Sequence, residues 1–329
     1  MKVKNMKSIK LLCVVIGLCG FTVVSFAQTL QEVVEARNKG SELMASGDLD
    51  GAIIELEKCV DLAKKVGEDA EEHQIVSEGA LPNLYLQKAN KILATKDYPA
   101  TLKAIEATVT AAEKYNNADI KEKAEKTFPQ IYYAMGAKDY SDKKYADAIK
   151  NMDMALTYDP NMANACFIKG VCYQSLTDEE NMAASYKQAI EKGNANGDAT
   201  TVQRAKTTLS RYYYNVGITA RKAQKWDDAI VAFTKTVDAD DQNADAYYAM
   251  ASCYNSKKNF DNAIASCEKA LEIKAGADAK ALDPIYYELG TAYAGKKDNG
   301  KACEYFKKVV NEPFLKGAKY QIETALKCQ

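Results

Sequence analysis

The stretch Tyr132-Tyr133-Ala134-Met135-Gly136, followed by Tyr145-Ala146-Asp147-Ala148-Ile149, decides how this chain is read. Counting from Gly136, a small residue stands 12 positions on (Ala148) and a bulky one 16 on (Met152). Another small one follows at 19 (Ala155) and a proline at 24 (Pro160). Two antiparallel helices need this spacing to pack closely. Small residues sit where the backbones nearly touch, large side chains fill the gaps, and the proline stops the second helix. A period of about 34 residues marks a helix-turn-helix solenoid, an architecture that presents a surface.

The pattern extends both ways. The close-packing residues of the first helices read Gly40, Ala89, Gly136, Gly170, Gly217, Ala251 and Gly290, at intervals of 49, 47, 34, 47, 34 and 39. The longest intervals add between three and four helical turns, which predicts lengthened helices rather than loose loops. The inserted segments, Ala118 to Phe128 and Gly197 to Leu209, are rich in helix formers. Twelve residues after the markers stand Ala52, Thr101, Ala148, Met182, Ala229, Ala263 and Ala302. Sixteen after stand Leu56, Ile105, Met152, Tyr186, Phe233, Cys267 and Phe306. Tyrosine recurs four before, at Tyr85, Tyr132, Tyr213, Tyr247 and Tyr286.

The first residues read differently. Lys2, Lys4, Lys7 and Lys10 precede an apolar run from Leu11 to Val24, and Ser25-Phe26-Ala27 places small residues around a cut. This layout predicts a signal peptide over 1–27, cleaved after Ala27, and hence an exported, most simply periplasmic, protein. An uncleaved anchor is the alternative, although 17 residues fall short of the roughly 20 that a span needs. Leu18 before Cys19 argues against a lipoprotein signal. No later stretch is apolar enough to span a membrane.

Without residues 1–27, 40 basic side chains face 45 acidic ones, a net charge near −5. Such a chain has no electrostatic case for nucleic acid, whose phosphates call for clustered positive charge. Seven cysteines remain: Cys59, Cys166, Cys172, Cys253, Cys267, Cys303 and Cys328. With no Cys-x-x-Cys pair and a single histidine, His73, neither a metal site nor a histidine-based triad is expected. Nor is there a Gly-rich phosphate loop, so no catalytic residues and no cofactors are expected. The thiols read as buried packing groups, with a Cys253–Cys267 bridge as the alternative, and His73 as a solvated helix residue. The acidic runs Asp178-Glu179-Glu180 and Asp240-Asp241 read as helix-end charges.

The register resembles the tetratricopeptide repeat family over nearly the whole chain beyond residue 27. Tyr132–Pro160, Tyr213–Asp241 and Tyr247–Ala275 are the best copies, Tyr286–Phe314 is good, and Cys166–Asn194 carries Met182 where alanine is usual. The resemblance implies an all-α, right-handed solenoid of antiparallel helix pairs with some lengthened helices, one continuous domain over 28–329. Seven repeats are expected, near 33–66, 82–116, 129–162, 163–196, 210–243, 244–277 and 283–316, and a capping helix over 317–328. Tyr320, which lies 34 after Tyr286, would belong to that cap.

In this family the first helices line a concave side, and the residue after the packing tyrosine faces it. Those positions read Arg37, Leu86, Tyr133, Phe167, Tyr214, Tyr248 and Tyr287, an aromatic stripe suited to an extended peptide, a partner helix or a sugar ring. The alternative is that these rings serve packing. Arg211, Ile218, Arg221 and Lys222, then Asp245, Ser252 and Asn255, would also face inward. The basic residues suit a carboxylate, or form a solvated face. Family members that clamp the carboxylates of chaperone tails use lysine and asparagine; here aromatics replace the lysines and only Asn90 matches. The expected function is a non-catalytic scaffold of the bacterial cell envelope that binds a protein or peptide, with carbohydrate binding as the alternative.

Overall fold

The structure, a computed structural model, describes residues 29–328; the expected signal peptide lies outside them. The described residues are all-α and group into two compact units that divide between Pro160 and Asn161. The expectation of one stack running through both rests on the sequence.

In the first unit, α1 (29–46) is followed by α2 (Leu49–Val66), a short 3-10 turn (Glu68–Ala70), α3 (Glu71–Leu93), α4 (Tyr98–Lys114), α5 (Ala118–Glu125), α6 (Phe128–Ser141) and α7 (Tyr145–Tyr158). The second unit holds α8 (Ala163–Ser175), α9 (Glu179–Asn196), α10 (Ala199–Lys222), α11 (Trp226–Ala239), α12 (Ala244–Ser256), α13 (Phe260–Ile273), α14 (Ala279–Gly295), α15 (Asn299–Lys307) and α16 (Phe314–Tyr320). In it each helix from α8 to α15 packs on its chain neighbour, and α8, α10, α12 and α14 also meet in sequence. That is the stacking of helix pairs with first helices on a common side.

The packing register is the one expected. A Cβ added to Gly136 would lie 2.9 Å from Met152, to Gly170 2.7 Å from Tyr186, to Gly217 2.5 Å from Phe233, and to Gly290 2.8 Å from Phe306. Each glycine thus meets the bulky residue 16 positions on. Ala148, Ala229, Ala263 and Ala302 are fully buried, as are Thr101 and Met182 at the same register. Burial of these side chains is the main stabilising term.

The turn inside each repeat is equally regular. Seven residues after each marker the chain turns left-handed, at Gly47, Lys96, Lys143, Thr177, Gln224, Lys258 and Lys297. The next N–H then closes back on the first helix in six of them, as Asp48 does on the Leu43 carbonyl (2.9 Å) and Asp178 on that of Tyr173 (3.0 Å). Asp48, Asp97, Asp178, Asn259 and Asp298 cap the helices that follow.

The insertions resolve in two ways. Gly197 to Leu209 lengthens α10 to 24 residues, as expected. Ala118 to Phe128 instead gives a separate 8-residue helix, α5. Pro129 explains the difference, because its ring leaves no N–H for the Glu125 carbonyl and clashes with it. The helix breaks there and restarts with proline in its first turn, where it is tolerated.

Two further expectations are corrected. The final helix is shorter than 317–328: α16 ends at Tyr320 and a π-helical turn (Gln321–Ala325) follows. Ala318 is its fully buried residue, whereas Tyr320 faces solvent. The disulfide is Cys303–Cys328 (Cα–Cα 5.7 Å), not Cys253–Cys267; those two are buried free thiols, like Cys59, Cys166 and Cys172. It ties α15 to the chain just past the π-turn across a sequence separation of 25. A loop of that length is worth about 2–4 kcal/mol to the oxidised protein. Chemical unfolding of the Cys303→Ala variant is expected to show a loss of that order, with amide exchange quickened in 314–326. An unchanged profile would remove the staple from this account.

Candidate ligand groove

Three successive first helices of the second unit, α10, α12 and α14, bring together most of the residues expected to face a ligand. Asn255 of α12 donates through Nδ2 to the Glu288 carboxylate of α14 (2.7 Å) and to its backbone carbonyl (3.0 Å). Its Oδ1 is buried and accepts from no group. Burial pushes the Glu288 carboxyl above its ordinary range, while Asn255, the Ser252 hydroxyl and the Arg221 guanidinium each pull it back. Burial also pushes the Tyr248 phenol up to about 12, with Glu288 adding to the rise and Arg221 opposing it. Tyr214 is raised by burial too, and then by Asp245. Asp245 itself pairs with Lys274 (2.8 Å).

The result is a polar cluster on an aromatic floor. One acceptor, Asn255 Oδ1, is sealed from water with nothing to receive, an arrangement that costs roughly 1–3 kcal/mol unless a donor arrives. A ligand that parts the side chains over this atom and places an N–H or O–H there would satisfy it. Arg221 offers the opposite chemistry beside it, a donor fork for a carbonyl or carboxylate.

The aromatic stripe has a second employment. Phe167 lies 5.6 Å from Tyr186 at 51°, Tyr214 lies 5.7 Å from Phe233 at 52°, and Tyr287 lies 5.6 Å from Phe306 at 67°. Each ring leans on the bulky residue of its own second helix, a favourable tilted contact. Phe167 is also covered by Arg204, whose guanidinium carbon sits 4.2 Å above the ring, and it is 7% exposed. Tyr287 further contacts Phe314 of α16 (5.7 Å). Tyr133 belongs to the first unit, on α6, and is half-buried. Arg211 is exposed on α10 and lines a cavity of about 560 Å³ with Gln174, Tyr212 and Val216.

Glu288 was not among the expected residues, although a signal for it exists. Two residues before each packing marker stand Asn38, Gln87, Ala134, Ile168, Asn215, Ala249 and Glu288, and only the last is acidic. The raised carboxyl has a consequence for stability. The folded state holds this proton more tightly than the unfolded chain, whose value is near the ordinary 4.5. Stability from this group therefore falls as pH rises above 4.5, and is lowest once Glu288 is ionised. Glu288→Gln, which cannot ionise, is expected to raise the melting temperature at pH 7 and leave it unchanged at or below pH 4. An equal or lower melting temperature at pH 7 would sink this reading.

His73 is not the solvated residue expected. It is half-buried on α3, with Nδ1 3.3 Å from the Arg37 guanidinium. Arginine only donates, so Nδ1 accepts and the ring proton sits on Nε2. Cys59 and Ser77 lie close by, but Ser77 Oγ donates to the His73 carbonyl (2.8 Å), not to the ring, and lies 3.3 Å from Cys59 Sγ. No base–nucleophile pair results. Among the described residues no cluster of His, Cys, Asp or Glu has metal-binding geometry, and no helix is long and apolar enough to cross a membrane.

Models of the tetratricopeptide repeat match residues 38–66, 163–191, 214–279 and 283–312. Stress-induced-phosphoprotein 1 of Caenorhabditis elegans is 27% identical over 100 residues, which are 30% of this chain; the chain spans 31% of that relative's length. Among solved structures, a MamA protein is 25% identical and aligns over 60% of this chain and 96% of its own, with a TM-score of 0.31. The Arabidopsis OM64 TPR domain is 27% identical, over 37% of this chain and 97% of its own, with a TM-score of 0.33.

Proposed function

Because this chain is a tetratricopeptide-repeat protein, we propose that it is a non-catalytic scaffold holding a protein or peptide partner in the groove of α10, α12 and α14. The observation that carries this reading is the orphaned Asn255 Oδ1 beside Glu288, with Arg221 near. An extended backbone offers alternating N–H and C=O groups, the two complements that this cluster asks for. Tyr214 and Tyr248 would then supply the apolar contact.

We place this scaffold in the bacterial cell envelope, after export and cleavage behind Ala27. Support comes from the basic and apolar layout of residues 1–27 and from the Cys303–Cys328 disulfide, which suits an oxidising compartment. The sugar-binding alternative gains nothing from the geometry, since Arg204 covers Phe167 and Tyr287 packs on both Phe306 and Phe314, which breaks the row of open ring faces.

The test is capture of partners from envelope extracts by wild type, Asn255→Ala and Tyr248→Ala, with cross-links mapped by mass spectrometry. Partners recovered by wild type should cross-link along α10, α12 and α14 and be lost with either variant. Recovery unchanged by both substitutions would remove the groove from this account.

A further inference from the structure

A longer period underlies the packing markers. Ala89, Gly170 and Ala251 stand 81 residues apart, and so do Gly136 and Gly217. The backbone follows that register closely. Asn117 caps the next helix at Ile120 N (3.1 Å), and Asp198, its counterpart, does so at Thr201 N (3.0 Å). The residues just before them, Asn116 and Gly197, both turn left-handed. Ala124 matches Ala205 and Phe128 matches Leu209, all four buried. Helices α4–α7 and α9–α11 are thus two copies of one arrangement, one in each unit.

Each copy encloses a cavity where the inserted segment meets its neighbours. The first, about 870 Å³, is walled by Glu106 and Val109 of α4, Glu125 of α5, Phe128 of α6 and Tyr158 of α7. The second, about 550 Å³, has Lys187, Ile190, Lys206 and Leu209 at the corresponding places. The apolar floor is kept, and two wall glutamates are exchanged for lysines.

The first cavity has the chemistry of a cation site. Glu106, Glu122, Glu125 and Asp159 face one lysine, Lys126. Lys126 pairs with Glu122 (2.5 Å), Glu125 lies 3.8 Å from Lys121, and among the described residues Glu106 has no ion pair. Tyr158 stacks with Phe128 (centroids 4.6 Å apart) and Tyr132 (5.8 Å), yet remains 44% exposed. A guanidinium is planar and weakly hydrated; it stacks on aromatic rings and donates two parallel N–H groups to a carboxylate. An ammonium ion has neither the plane nor the fork. In the second copy Ala239 replaces Tyr158, and Lys187 and Lys206 replace Glu106 and Glu125; with Lys235 they balance Glu191, Asp238 and Asp241, so the same frame offers a cation no net charge and no ring in the place of Tyr158.

From this contrast we infer that the cavity of the first unit binds an arginine side chain presented by a peptide segment of a partner. This site stands apart from the groove of the second unit and does not rest on it.

The experiment uses the doubly capped peptide Gly-Arg-Gly-Arg-Gly, its lysine counterpart, and the full chain labelled with 15N. Wild type is expected to bind the arginine peptide with amide shifts at 106–110, 122–130 and 157–159. Binding should weaken at least tenfold in Glu106→Lys/Glu125→Lys, which imports the second copy's charges at exposed positions, and in Tyr158→Ala. The lysine peptide should bind more weakly. The inference is overturned by equal affinity in the double variant, by equal affinity for the two peptides, by shifts confined to the surroundings of Tyr248 and Asn255, or by no binding at millimolar peptide. Unchanged circular dichroism in both variants secures the comparison.

Discussion

Phe233→Ala is expected to lower the stability of the second unit by roughly 3–5 kcal/mol, read from urea unfolding. Phe233 is fully buried on α11. Its ring lies where a Cβ on Gly217 would come within 2.5 Å, and Tyr214 leans on it at 5.7 Å. Ala229, Ala246 and Met250 complete its surroundings, so the ring joins two successive repeats. Close backbone approach at Gly217 leaves little freedom for collapse, and the emptied space would persist as a cavity. Val231→Ala on the same helix is the control. Val231 is 58% exposed, and its loss should fall within about 0.5 kcal/mol. Similar losses at both positions would mean that the seam between α10 and α11 is not the one described.

Ser210→Pro is expected to break α10 and remove about 3 kcal/mol or more, with a visible loss of helical circular dichroism. Ser210 lies within the uninterrupted helix Ala199–Lys222, and its Oγ accepts from Asn243 Nδ2 (3.1 Å). Its counterpart 81 residues earlier is Pro129, beside which the helix is interrupted between Glu125 and Phe128. The substitution therefore asks the second copy to take up the form of the first. Ser210→Ala removes only the hydroxyl and should cost about 1 kcal/mol. If proline and alanine cost the same, Pro129 is not the cause of the break between α5 and α6.

The fold was legible because the same constraint is written many times. Gly136, Gly170, Gly217 and Gly290 each exclude a Cβ for the same reason, so the lapse at Thr101 or Met182 does not hide the register. Features that occur once were harder to read. Cys303 and Cys328 meet only because the chain folds back beyond α16, a return that no periodicity announces. The break at Pro129 is hidden in the composition of Ala118 to Phe128, which is helical throughout; it lies in the residue that follows.

The groove was half legible. Tyr214, Tyr248 and Asn255 could be placed from the repeat, since position in a helix settles direction. Glu288 could not, because its importance comes from Asn255 on the neighbouring helix, 33 residues away in sequence. Nor could spacing show that Arg204 would settle over Phe167. That contact exists because the insertion lengthens α10, and the 34-residue pattern has no position for an inserted residue. The two glutamate-to-lysine exchanges take their meaning from the correspondence of the two cavities, which spacing alone does not display.

Six of the seven corners within the repeats place a side chain in a backbone conformation that only glycine adopts freely, and Gly47 is the exception. Lys96, Lys143, Thr177, Gln224, Lys258 and Lys297 are all exposed, and none lines either cavity. Glycine at each would relieve about 1–2 kcal/mol of crowding and return part of it as chain entropy, for a net gain of a few tenths to about 1 kcal/mol. Lying one to a repeat, the six changes should add. The protein thus carries an untapped reserve of heat tolerance at its bends, open to stepwise hardening by melting-curve selection while the residues of the candidate groove and of both cavities stay as they are.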